Sequence, residues 1–250
     1  MYDFFYQKRH PAFLEKIFLR SSLNILSVLL QEFPLKKSLS FLELGPGKGY
    51  FLKAIKESKI KISYTAVDQN ELVLKNITTL KKYKSTLPKL PKFYQKFDCI
   101  YGAYLIEHLK SGDELYELIL NCKKYLKKGG IISFLAPDVL DQKFEFYAAD
   151  YTHQYPVTKR NVSLIFQDIG FTNLVIYEGS DLCFYLTSNP SFWKPILWLS
   201  KLLLFFYNYH LFSFIFSPIY KNKDYELDNW FYRFYSFTKV KNLLFIAKNE

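Results

Sequence analysis

Three glycines at alternate positions, Gly45, Gly47 and Gly49, follow a short apolar run in "FLELGPGKGYF" (41–51), with an acid, Glu43, two residues ahead of the first. A bare main chain between a strand and a helix lets a ligand approach closely, and many nucleotide-binding turns use it. The spacing narrows the choice. A dinucleotide fingerprint has its third glycine one place later, where Tyr50 stands, and Lys48 is followed by Gly49 rather than Ser or Thr, so no P-loop is formed. A carboxylate at Glu43 disfavours a pyrophosphate and suits a cationic group. Asp68 ends the next apolar run, "IKISYTAVD" (60–68), where an acid accepts the hydroxyls of a ribose. These residues together call for a ligand with a ribose, without phosphates, and with positive charge at its other end.

The remaining residues suited to chemistry are histidines. His108 follows the apolar stretch "KFDCIYGAY" (96–104), and His153 lies in "ADYTHQYPVT" (149–158). Both fall after strands, on the edge where acceptors bind in alternating folds. Imidazole is the usual general base near neutral pH. His153 is the first candidate for base or acceptor contact and His108 the second, with Asp150 or Tyr151 available to orient the imidazole of His153. Each also has a plain structural reading, as a helix-start or loop residue satisfied by hydrogen bonds.

The elements that would position these groups alternate. Residues 12–31 have helical spacing. Strands are expected over 39–45, 60–68, 96–104, 131–137, 172–178 and 242–248, with a further one somewhere in the Lys- and Pro-rich 81–96. Helices are expected over 49–58, from Glu71, after a Ser111/Glu114 capping box, and after Thr158 with a buried stripe of Val162, Ile165, Phe166 and Ile169 closed by Gly170. The pair Gly129–Gly130 is read as the stop of the third of these. Such alternation means a parallel sheet covered on both faces.

The glycine turn resembles motif I of the class I SAM-dependent methyltransferases, E/D-x-G-x-G-x-G, read here as Glu43-Leu44-Gly45-Pro46-Gly47-Lys48-Gly49. "AVDQN" (66–70) resembles their second motif. "FDCIYGAYLIEHL" (97–109), with its Glu-His pair, resembles their fourth strand and following turn, "LKKGGIISFLAPD" (126–138) their helix-Gly-Gly-strand segment, and "DYTHQYPVT" (150–158) the loop that closes over the acceptor in members acting on glycans and related molecules. The resemblance covers about two-thirds of the chain. It implies an α/β doubly wound sheet of order 3-2-1-4-5-7-6 with the last strand antiparallel. It also implies S-adenosylmethionine as cofactor, held by Glu43, Gly45, Gly47, Gly49, Asp68, Gln69 and Gly102. No Asp or Glu lies between Glu71 and Asp98, so the acid that holds adenine in many relatives has no counterpart.

The domain reading is an N-terminal helical cap (1–37), the cofactor-binding domain (38–188 plus 241–250), and an apolar helical insertion (189–240). In the cap, Tyr2, Tyr6 and Arg9 are candidates to fold over the cofactor, as N-terminal helices do in relatives, with a plain surface helix as the favoured alternative. The insertion contains "SFWKPILWLSKLLLFFYNYHLFSFIFSPIY" (191–220), in which Lys194, Lys201 and Asn208 recur every seven residues as one narrow polar stripe. Topology argues against a full membrane crossing, since 242–248 must rejoin the sheet. An interfacial helix over 191–223 is allowed, with Trp193, Trp198 and Trp230 at headgroup level and Lys201, Lys221 and Lys223 drawn to anionic lipid. A packed lid or a homodimer contact is the alternative.

Composition sets outer bounds. The 250 residues carry a formal charge of +11, are 20% aromatic, and include 25 Phe and 21 Tyr. The positive balance favours anionic partners. It is nearly all Lys, which disfavours sequence-reading of nucleic acid, where the guanidinium fork is the usual tool. Cys99, Cys122 and Cys183 have neither disulfide nor zinc spacing, so no metal site is expected, and a reducing, cytoplasmic compartment fits. The charged N-terminus lacks a signal-peptide core. The function expected is methyl transfer to a hydroxyl of a small molecule or glycan, lipid-linked in one version, at the inner membrane face. An RNA methyltransferase and a non-catalytic membrane scaffold are the alternatives from other classes.

Overall fold

The computed structural model describes residues 12–34, 37–79, 81–208, 237–238 and 240–250. The expected positions of Tyr2, Tyr6, Arg9, Lys221, Lys223 and Trp230 lie outside the described residues. Helix α1 (Ala12–Leu30) precedes β1 (Ser38–Leu44), α2 (Tyr50–Glu57), β2 (Lys61–Asp68), α3 (Glu71–Asn76), β3 (Lys82–Lys84) and β4 (Phe97–Ala103). A 3-10 turn (Ile106–His108) leads to α4 (Gly112–Tyr125), β5 (Leu126–Pro137), α5 (Val139–Gln142), α6 (Glu145–Ala149), α7 (Lys159–Asp168) and β6 (Asn173–Gly179). Helices α8 (Asp181–Leu186) and α9 (Trp193–Asn208) then precede β7 (Asn242–Lys248).

The strands form one sheet of order β3-β2-β1-β4-β5-β7-β6, with β7 antiparallel to both β5 and β6. This is the order expected from the sequence. Alternation divides the core. Phe41, Cys99, Tyr101, Ile131, Leu244 and Ile246 face one cluster with α1, α2 and Trp193. Leu42, Ile100, Ile132, Phe134, Leu243 and Phe245 face the other, with α4 and α7. Strands buried on both faces read as continuous apolar runs.

Helix α1 is tied to the far end of the chain. The Asn24 side-chain amide donates to the carbonyls of Phe184 (2.7 Å) and Tyr185 (3.1 Å), which lie in the last turn of α8 and lack helical partners. Trp193 is fully buried at the start of α9, edge-on to Phe184 and Tyr177, and its indole donates to the Thr187 carbonyl. Trp193 and Leu197 thus pack inward while Phe192, Trp198, Leu199 and Leu203 are exposed. Lys201, expected to attract lipid, is instead ion-paired with Asp141 of α5. No helix among the described residues is long and apolar enough to cross a membrane.

Two local readings are corrected. The Gly129–Gly130 pair does not stop α4, which ends at Tyr125; strand β5 starts at Leu126 and carries both glycines within it. Pairing with β4 skips there, from Phe97 opposite Leu126 to Cys99 opposite Ile131. A Cβ at Gly130 would lie 3.0 Å from the Asp98 carbonyl oxygen, so Gly130 serves close strand packing, whereas Gly129 has open space around it and a left-handed φ of 69°. The α4 cap is also rearranged. Ser111 accepts from the Glu114 N–H, but the Glu114 carboxylate reaches back to the Lys110 N–H rather than to that of Ser111.

The central strands are locked by Asp98. Its carboxylate accepts from the Ser40 N–H (2.8 Å), the Ser40 hydroxyl (2.7 Å) and the Lys127 ammonium (2.7 Å), joining β1, β4 and β5. Asp98→Ala leaves the buried Ser40 N–H without its acceptor and the Ser40 hydroxyl with only the longer bond to the Lys96 carbonyl, 3.2 Å. It is expected to destabilise the fold by about 2–3 kcal/mol in urea unfolding. A loss under about 0.5 kcal/mol would show that water replaces the carboxylate.

Candidate functional site

The carboxyl edges of β1, β2, β4 and β5 carry the predicted groups in two sets. The first surrounds the glycine turn. Gly45, Gly47 and Gly49 all have left-handed φ values of 65°, 52° and 73°, but their surroundings differ. A Cβ on Gly45 would meet Leu105 Cδ1 at 2.9 Å, whereas nothing lies within 4 Å of one on Gly47. The main chain is therefore open at Gly47 and closed by packing at Gly45. Gly49 is closed in the same way by Ile77, and Gly102 by Leu105 and Phe134. The turn is tied to β2 by the Gly45 N–H, which donates to the Val67 carbonyl at 2.9 Å.

Glu43 lies near the end of β1, paired in register with Ala66 of β2 and Tyr101 of β4. It is 5% exposed, and its carboxyl accepts from the Tyr64 hydroxyl. Burial pushes its pKa up to about 8, against the Tyr64 hydrogen bond, with the charge of Asp68 adding to the rise. Glu43 is thus a neutral acid near pH 7 until a cation approaches, rather than the standing carboxylate expected from the sequence. Tyr64 was not singled out from sequence, because a tyrosine inside an apolar strand carries no motif. Its own hydroxyl is raised well above the ordinary range by burial and by Glu43.

Asp68 is half-buried at the end of β2. Its carboxylate accepts from the Asn70 N–H (2.7 Å). Burial raises its pKa, opposed by the N–H groups of Asn70 and Gln69. Glu43 and Asp68 come together with open main chain at one sheet edge.

The second set sits after β4 and β5. The Gln154 and Tyr155 N–H groups both donate to the Glu107 carbonyl, at 2.9 and 3.0 Å, which pins the 150–155 loop against the turn that carries His108. The two imidazoles consequently face each other, with ring centroids 5.0 Å apart. His153 Nδ1 contacts the Phe146 carbonyl at 2.6 Å, so it must carry the proton there. Asp150 accepts from the Thr152 hydroxyl at 2.6 Å, and Thr152 Oγ1 lies 2.9 Å from His108 Nδ1. With its one proton given to Asp150, Thr152 accepts from His108. Asp150 therefore orients His108 through Thr152, not His153 as expected, and Tyr151 is 77% exposed.

Burial lowers the pKa of His108, reinforced by His153 and opposed by Asp150 and the backbone of Thr152 and Tyr104. Glu107, noted in the sequence only as half of a Glu-His pair, is 1% exposed, and burial pushes its pKa up to about 8. Sequence reasoning missed Tyr104. It holds a left-handed φ of 50°, unusual for a residue with a side chain. Its hydroxyl donates to Asp181, whose carboxyl burial pushes up to about 6, and it accepts from the Asn242 amide at 3.1 Å. Such strain often marks a working edge.

A family model described as a methyltransferase domain matches residues 13–175. No curated protein matches the chain. Among solved structures, the fold is similar to that of a SAM-dependent methyltransferase from Archaeoglobus fulgidus, at 21% identity over 90% of this chain and 94% of that one, with a TM-score of 0.53. It is similar to a protein described as a methyltransferase from Bacillus halodurans C-125, at 17% identity over 90% and 98%, with a TM-score of 0.53. It is also similar to the plantazolicin methyltransferase BpumL in complex with SAH, at 13% identity over 94% and 85%, with a TM-score of 0.58.

Proposed function

The chain belongs to the class I SAM-dependent methyltransferases, and from that premise we propose that it methylates a hydroxyl of a small molecule or glycan, lipid-linked in the version we favour, at the cytoplasmic face of a membrane. S-adenosylmethionine is its cofactor. The residues at the glycine turn fit that group: open main chain at Gly47, a half-buried acid at Asp68, and a buried acid at Glu43 whose ionisation a cation would favour. Asp68 would hold the ribose hydroxyls, and Glu43 the cationic amino-acid end. Gly45, Gly49, Gln69 and Gly102 shape the turn and strand ends around it. Bound there, the cofactor supplies a methyl group on a positive sulfur; the acceptor oxygen forms the new O–CH3 bond while the electrons of the S–CH3 bond go to sulfur.

The observation that carries the hydroxyl reading is the facing pair of His108 and His153, one strand over from the glycine turn. His153 holds its Nδ1 proton against the Phe146 carbonyl, which leaves the Nε2 lone pair to take the acceptor's proton. His108, held through Thr152, makes the second contact. The membrane part of the reading is supported by the exposed Phe192, Trp198, Leu199 and Leu203 at the start of the apolar segment.

The test at the cofactor end uses the buried acid. A cation beside Glu43 stabilises its ionised form, so binding lowers its pKa from about 8 and releases a proton. Affinity for SAH should therefore rise with pH up to about 8, by no more than roughly tenfold per pH unit. At higher pH still, the ligand's own α-ammonium group, the cation that Glu43 would hold, loses its charge. Calorimetry at pH 7 in two buffers of different ionisation enthalpy should show proton release that disappears in Glu43→Gln. Binding of NADH or ATP in place of SAH would overturn the reading.

A further inference from the structure

We propose that Glu107, His108 and His153 form a binding site for a divalent transition-metal ion at the acceptor end of the cleft. The inference rests on the methyltransferase reading for what the ion would do, but not for its existence. One potential ligand atom from each residue lies within 4.8 Å of the other two. Donors about 2.1 Å from a shared ion lie roughly 3–4 Å apart, so small side-chain rotations close the set. Two imidazoles and one carboxylate favour manganese, iron, cobalt or zinc over magnesium or calcium, and leave coordination positions for other oxygens.

Two further features point to an ion. Glu107 Oε2 is buried and has no hydrogen-bond partner among the described residues. A buried carboxyl oxygen is rarely left so, and a cation would satisfy it. The surroundings also suit ligation. A metal-binding histidine usually gives its other ring proton to a carbonyl or a carboxylate-linked group, which fixes its orientation. Here the Phe146 carbonyl serves His153, and the Thr152–Asp150 pair serves His108. The clamp of the Gln154 and Tyr155 N–H groups on the Glu107 carbonyl holds both halves of the set in place. Sequence spacing concealed the site, because His153 lies 45 positions after His108 and neither belongs to a metal-binding motif.

With an ion present, the histidines act as ligands rather than as bare bases. An acceptor hydroxyl bound to the ion would lose its proton to water at lower pH than in solution. No oxidation or reduction is involved.

The experiment titrates the full-length chain, stripped with chelator and dialysed, with cobalt chloride. Calorimetry and visible absorption are recorded, and SAH affinity is measured separately on each protein. The proposal expects one cobalt per chain, absorption bands of nitrogen and oxygen ligation, and binding at least about tenfold weaker in Glu107→Gln and in His153→Gln. Glu71→Gln, an exposed carboxylate outside the cluster that pairs with Lys84 of β3, should bind as the parent does. Retained SAH affinity shows that each variant is folded; if His153→Gln fails that check, His108→Asn takes its place. Undetectable cobalt binding at about 1 mM, equal binding in the variants, or thiolate charge-transfer bands from the cysteines would overturn it. If cobalt binds and SAH does not, the metal site stands and the methyltransferase reading falls; the reverse result removes the metal site alone.

Discussion

His153→Ala should lower turnover by about 10²–10⁴-fold while SAH affinity changes less than about twofold. The size follows from what proton removal by a positioned group contributes to such reactions. The separation of the two quantities follows from topology. His153 reaches the cleft from the loop after β5, whereas Glu43, Gly47 and Asp68 lie at the ends of β1 and β2. His108→Ala should have a smaller effect, because its side chain is held by the Thr152–Asp150 pair and makes the second contact. The measurement is transfer of labelled methyl from SAM into lipid and glycan fractions, with SAH calorimetry on the same proteins. Unchanged transfer in both variants would remove the histidine pair from the mechanism. Loss of SAH binding along with transfer would place His153 in cofactor binding.

What the sequence shows of this site depends on whether a residue's role is local. The glycine turn, Glu43 and Asp68 are legible because the turn chemistry is contained in a few consecutive residues. Strands β1, β4 and β7 are legible because burial on both faces makes them predominantly apolar runs, broken only by Ser38, Ser40 and Glu43 in β1, by Asp98 in β4 and at the ends of β7. Strand β3 is not. It is three residues long, lies at the solvent edge of the sheet, and reads Lys82-Tyr83-Lys84, as a short edge strand protected from further pairing would. The Gly129–Gly130 pair misleads for a related reason: glycine after a helical stripe reads as a stop, but here Gly130 is required by the neighbouring Asp98 carbonyl, which only the folded sheet supplies, and Gly129 by a left-handed φ of 69°. The same holds for charge. Glu43 as a letter is a carboxylate; buried against Tyr64 it becomes a weak acid. The link of Glu107, His108, Thr152, Asp150 and His153 is a product of loop docking and has no signature along the chain.

The glycines offer a sharper division between folding and binding. Gly47→Ala and Gly45→Ala introduce the same methyl group at similar left-handed φ values, 52° and 65°. That conformation costs each about 1–2 kcal/mol. At Gly45 the new Cβ also lies 2.9 Å from Leu105 Cδ1, the end of a partly buried side chain packed against the core, which must shift to admit it. Overpacking adds about 1–3 kcal/mol, so Gly45→Ala should lose about 3 kcal/mol of stability and bind cofactor only as far as it remains folded. At Gly47 the new atom meets no protein atom within 4 Å and projects into the space the cofactor is expected to fill. Gly47→Ala should therefore stay folded, with about 1 kcal/mol lost, yet weaken SAH binding by about 100-fold, or about 2.8 kcal/mol. Urea unfolding and calorimetry on both variants separate the two effects. If Gly47→Ala binds SAH as tightly as the parent chain, the open face of this turn is not where the cofactor lies.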